Sequence, residues 1–155
     1  MKKDVILGAI TGDIAGSRFE FNNCKTGKDF VLLHDKYDRY TDDSVMTLAV
    51  AKALLNCYDN YDNIKEITIN TMVEVGMNHL NCGYGYSFYN WLKSDKHEPY
   101  GSYGNGAAMR ISPVAVVFDN VEDIKKYCRI ITNISHNHKD SILGAEAVCI
   151  SIYMA

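Results

Sequence analysis

The sequence is organised around the segment Val45 to Leu55, apolar except for Thr47 and Lys52, and around what precedes it, Thr41-Asp42-Asp43-Ser44. A hydroxyl residue, two acids and then an apolar run read as the start of a helix. Thr41 suits the N-cap, and Asp42 and Asp43 fall in the first turn, where the positive end of the helix dipole favours negative charge. Capping accounts for each residue singly. It does not account for two adjacent carboxylates at the head of a helix that is expected to be buried on most of its faces. A buried carboxylate pair is costly unless something positive neutralises it. A divalent cation with oxygen ligands, Mg2+ or Mn2+, would do so.

Bulk properties narrow the classes. At 155 residues and 17.4 kDa the chain is sized for one domain with a real core. A net charge of −3 and the lack of a Lys/Arg cluster argue against nucleic acid as a partner. The cysteines, Cys24, Cys57, Cys82, Cys128 and Cys149, are odd in number, widely spaced and without a C-x-x-C pair. Neither a zinc knuckle nor a disulfide framework is signalled, and reduced thiols in a cytoplasmic protein are expected. Lys2-Lys3 before Val5-Ile6-Leu7 looks like the opening of a signal peptide, but Asp4 and Asp13 interrupt it. No apolar stretch approaches the roughly 20 residues of a membrane span.

Along the chain, Asp4 to Gly16 reads as a helix whose glycines, Gly8, Gly12 and Gly16, suggest close packing against another element. Glu20 falls at or just past its end, unfavourable for the dipole, so it either faces solvent or has a positive partner. Asn22 to Tyr40 is loop-like with an apolar break at Phe30 to Leu33. Helices are expected over about residues 42–58, 62–80, 85–93, 121–132 and 137–155, with Ser135 or Asn137 capping the last. Between them, Gly101-Ser102-Tyr103-Gly104-Asn105-Gly106 feeds Ala107-Ala108-Met109-Arg110. A glycine-rich turn entering a helix is a candidate anion cradle, although its spacing is neither a P-loop nor a dinucleotide fingerprint. His136 and His138, two apart, do not share a helix face. With no sustained period-two alternation, the class is all-α.

Five collinear motifs then resemble the ADP-ribosylglycohydrolase family. They are Gly8-Ala9-Ile10-Thr11-Gly12-Asp13 through Gly16-Ser17 to Glu20; Thr41-Asp42-Asp43-Ser44 with Met46-Thr47-Leu48-Ala49; Gly83-Tyr84-Gly85 with Phe88 and Trp91-Leu92; Gly101 to Arg110 with Pro113; and Ser135-His136 through Gly144-Ala145-Glu146. The family usually has Thr where this chain has Ser44, which keeps the hydroxyl. The resemblance implies an all-α orthogonal helical bundle holding two Mg2+ or Mn2+ ions in a cleft. It implies Glu20, Thr41, Asp42 and Asp43 as metal ligands. Gly101, Ser102, Tyr103, Gly104, Asn105 and Gly106 would hold the phosphates and ribose of ADP-ribose, with His136 nearby. The implied reaction is hydrolysis of the bond from the ribose anomeric carbon to a protein side chain or small acceptor, with Glu20 or Asp43 as the working carboxylate.

Length is the departure. Family members usually run to about twice this size, with a later D-x-D-[ST] motif completing the metal site, and no D-x-D occurs here. Val148 to Ala155 is apolar without a capping glycine or polar exit. The expectation is therefore the N-terminal part of a single domain, truncated or split, carrying part of the metal site. If the rest is absent, Ile150, Ile152 and Met154 of the last helix would be exposed and invite self-association. The alternatives are a catalytically inactive ADP-ribose-binding or structural, crystallin-like relative, and a different metal-dependent phosphohydrolase.

Overall fold

A computed structural model describes residues 4–20, 31–34 and 36–155. The expectations for Asn22 to Phe30, Cys24 included, lie outside the described residues. Seven α-helices and no strand occur among those described: α1 (Asp4–Gly16), α2 (Asp42–Asn56), α3 (Ile64–Met77), α4 (Tyr86–Leu92), α5 (Ser112–Val117), α6 (Val121–Thr132) and α7 (Lys139–Met154). The chain is all-α, as its sequence requires. Among the described residues no helix is long and apolar enough to cross a membrane.

The apolar segment makes α2 the centre of the core. Met46, Ala49, Val50 and Ala53 are fully buried, and the helix packs on α1, α3 and α5. Ile64 and Met72 of α3, Phe88, Trp91 and Leu92 of α4 and Ile124, Cys128 and Ile131 of α6 complete this core. At its far side α7 packs on α5 and α6, sealed by Ala145 and Cys149 and by the ion pair of Arg129 with Glu146. Gly76 has a packing reason: a Cβ there would meet the Leu92 side chain at 2.8 Å.

Several expectations are corrected. Among the described residues Gly8, Gly12 and Gly16 make no close packing, since a Cβ on any of them meets no atom within 4 Å. Ala15 is the only buried residue of α1 among the described residues. The glycine-rich stretch does not feed an α-helix directly. It enters a single 3-10 turn, Asn105–Ala107, and the next α-helix begins at Ser112, where Pro113 suits the first turn. Neither Ser135 nor Asn137 caps α7. His138 does, its Nδ1 accepting from the Asp140 N–H. Ile150 and Ile152 are half-buried against the core, whereas Leu143, Val148 and Met154 are exposed. Cys57, Cys82, Cys128 and Cys149 are free thiols.

Candidate active site

Thr41 caps α2 with extended backbone, its Oγ1 accepting from the Asp43 N–H at 3.3 Å. The cap is itself held from α1. Asp13 accepts from the Thr41 N–H at 2.8 Å, the Thr41 hydroxyl at 2.6 Å, the Ser44 N–H at 3.1 Å and the Ser44 hydroxyl. One carboxylate thus serves the orphan N–H groups at the helix start and two buried hydroxyls. It also explains why a hydroxyl is needed at position 44. Asp13 stood in the sequence motif without a role. The signal that could have found it is arithmetic: the head of α2 carries more donors than Thr41 alone can satisfy.

Because Asp13 takes up those donors, Asp42 and Asp43 are left facing outward. The Asp42 N–H donates to the Cys82 carbonyl at 2.9 Å, docking the helix start onto the 82–85 turn. Gly83 there has φ +111°, and a Cβ on it would lie 3.3 Å from Asp42 Oδ1, so glycine suits this approach. Burial, then the neighbouring Asp43 charge, pushes the Asp42 carboxyl up to about 6. Burial, then the charges of Asp13 and Glu20, pushes Asp43 up to about 6 as well. Mutual repulsion is therefore the smaller part of the effect and burial the larger. Among the described residues neither acid has an Arg or Lys ion-pair partner.

A cleft of about 460 Å³ opens beside this pair. Glu20, Asp42 and Asp43 line it together with Ser102, Gly104, Asn105, Gly106 and His136. Glu20 is exposed and lines the cleft edge. Thr41 lines an adjoining hollow of about 410 Å³ with Asp13, Glu20 and Asp43. Two residues of the predicted glycine turn also stand back from the cleft lining. Gly101, at φ +71°, donates its N–H to Asn137 Oδ1 at 2.7 Å, and Tyr103 is exposed with its ring edge on His138. The turn is closed from α7 by the Ser141 hydroxyl, which donates to the Ser102 carbonyl at 2.7 Å.

The cleft floor holds a residue to which sequence reasoning gave no role. Arg110 is 1% exposed and lies over the Phe88 ring at 5.6 Å. Burial pulls it down to about 10, and it keeps its charge at neutral pH. Its signal was a lone cation set in the run Met109 to Val114. Burial and the Arg110 charge hold the His136 imidazole down to about 4. The cleft therefore has an acidic side and a cationic floor, a polarity suited to a ligand with an anionic group at the glycine turn and a cation between it and the acids.

The donor chemistry of the acidic side, all oxygen and without a side-chain counter-ion among the described residues, fits a hard divalent cation. Among the described residues no three His, Cys, Asp or Glu side chains converge to hold an ion.

An acid-headed central helix facing a glycine turn across one cleft, in an all-α frame, defines the class of protein. The family model of the ADP-ribosylglycohydrolases matches residues 3–155, and the chain belongs to that family. It is 30% identical to ADP-ribosylhydrolase ARH3 of Gallus gallus over 132 residues, covering 75% of this chain and 35% of that protein. It is 28% identical to ADP-ribosylhydrolase ARH3 of Xenopus tropicalis over 174 residues, 97% of this chain and 49% of that protein. Against the same protein of Danio rerio it is 26% identical, over 99% of this chain and 47% of the relative. The chain thus spans about a third to a half of the length of the relatives it matches.

Proposed function

We propose that the cleft takes ADP-ribose and that the chain is part of a hydrolase removing ADP-ribose from a modified protein or small acceptor. The observation that carries this is the meeting of Glu20, Asp42 and Asp43 with the glycine turn and His136 around one cleft of about 460 Å³. Family membership and the printed names of the relatives support the substrate class.

In this reading the 102–106 turn and the cationic floor at Arg110 receive the phosphates, and the acidic side receives the ribose at the bond to be cut. Glu20, Thr41, Asp42 and Asp43 would hold Mg2+ or Mn2+, the remaining ligands coming from water, ribose or protein beyond these residues. Bound there, a divalent cation supplies orientation of ribose hydroxyls and polarisation of water. Glu20 or Asp43 accepts the proton of the attacking water or steadies positive charge developing at the anomeric carbon. Asp13 touches neither ligand nor water in this scheme. It fixes the helix start that aims the acids.

The test is release of free ADP-ribose from ADP-ribosylated protein in Mg2+ or Mn2+. Release that chelation abolishes, and that falls about 100-fold or more in Glu20→Gln or Asp43→Asn, is expected. A second reading, an ADP-ribose-binding module without catalysis, is favoured by the incomplete set of metal-binding side chains among the described residues. Binding without release in either metal would select it.

A further inference from the structure

Arg110 lines the cleft and Ser135 sits between it and His136, and the proposed reaction leaves the side chain of Ser135 without a role. Both are buried, at 1% and 0% exposure. Arg110 Nη2 donates to Ser135 Oγ at 2.8 Å and to the Ile131 carbonyl at 3.4 Å, and its Nε has no partner among the described residues. Ser135 Oγ lies 2.8 Å from His136 Nδ1.

Hydrogen-bonding capacity orders this chain. A guanidinium only donates, so Ser135 Oγ accepts from Arg110 and retains one proton to give. Among the described residues that proton has one acceptor, His136 Nδ1. A neutral imidazole accepts at one nitrogen and carries its proton at the other. With Nδ1 accepting, the proton sits on Nε2. In the opposite tautomer Nδ1–H would donate to the second Oγ lone pair and leave the buried Ser135 hydroxyl proton without an acceptor among the described residues, a penalty that biases the equilibrium by about tenfold or more. Burial and the adjacent guanidinium also keep the ring neutral. His136 Nε2 faces the glycine turn: a Cβ on Gly106 would lie 2.9 Å from it.

We propose that Arg110 and Ser135 are positioning residues that lock His136 as the neutral, Nε2-protonated imidazole, making it a fixed hydrogen-bond donor to a ligand oxygen on the glycine turn. His136 is then not a proton acceptor toward the ligand, since its one lone pair is taken by Ser135. The ligand, ADP-ribose, rests on the function proposed above. The tautomer does not, because it is a property of the free chain.

The experiment is long-range 1H–15N correlation of the imidazoles at neutral pH, with His136 assigned by the loss of its signals in His136→Gln. In the ligand-free wild type the Nε2-protonated pattern is expected. Ser135→Ala should mix the two tautomers and weaken ADP-ribose binding about tenfold, while Ser135→Thr, which keeps the hydroxyl, restores both. An Nδ1-protonated or doubly protonated ring in the wild type overturns the proposal, and that measurement stands even if Ser135→Ala does not fold. An unchanged pattern in folded Ser135→Ala overturns the role of Ser135. ADP-ribose that binds without moving the Nε2 resonance overturns the donor role. If ADP-ribose does not bind at all, the proposed function fails, while the expected tautomer would still support the Arg110–Ser135 lock.

Discussion

Asp13 shows how one side chain decides the geometry of the site without touching a ligand. Its carboxylate accepts four hydrogen bonds from Thr41 and Ser44, two from N–H groups and two from hydroxyls. Asn at this position has one acceptor oxygen, and its amide would point donors at donors. Asp13→Asn is expected to lose about 2–4 kcal/mol of unfolding free energy, on the basis that hydrogen bonds to a charged group contribute most. Urea denaturation measures it, and a loss below about 0.5 kcal/mol would contradict the arrangement. Residue identity was legible at this scale but partnership was not. The sequence displays Asp42, Asp43 and Glu20 as candidates because carboxylates and their neighbours are visible in a string. The acceptor role of Asp13 and the Arg110–Ser135–His136 chain depend on residues 28 and 25 positions apart coming together.

At the scale of the element, the start of α2 is where capping and chemistry meet. Burial raises both Asp42 and Asp43 to about 6 from an ordinary value of 3.8. The folded chain therefore holds these protons more tightly than the unfolded chain does. Their contribution to stability is fully present below about pH 3.8 and is lost as pH rises through about 6. His136, lowered to about 4 from 6.5, works oppositely: its contribution is present above 6.5 and lost as pH falls through about 4. The two overlap, so the acids are isolated by comparison with the double variant Asp42→Asn/Asp43→Asn, which retains His136. In metal-free buffer, the stability of the wild type relative to this variant should fall from about pH 4 to about pH 7. A difference that does not change with pH would show that the acids are solvated. The helix itself was readable, since Thr41, the acids and the apolar run are local signals. The glycine turn was misread locally: Asn105–Ala107 is a single 3-10 turn held from α7 by Ser141, so its shape comes from a distant hydroxyl and not from an entering α-helix.

At the scale of the molecule, α2 carries the acids, the 3-10 turn and its flanking glycines carry the opposite side, and the buried Arg110 lines the same cleft. The all-α class followed from periodicity, and the order of the motifs followed from the family likeness. The exposed glycine face of α1 did not follow, because glycine spacing reports permission for close approach and not the presence of a neighbour. The chain spans about a third to a half of its relatives' length. The central claim is that the acid pair and the glycine turn are two sides of one ADP-ribose site. Calorimetric titration of ADP-ribose, with and without Mg2+, into the wild type, Asp42→Asn/Asp43→Asn and Gly106→Ala tests it most directly. Binding that Mg2+ strengthens is expected for the wild type, with the Mg2+ effect lost in the acid variant. Gly106→Ala, which drives a methyl against His136 Nε2, should weaken binding about tenfold or more with Mg2+ present or absent. Absence of binding in the wild type, or affinity indifferent to both variants, would contradict the claim.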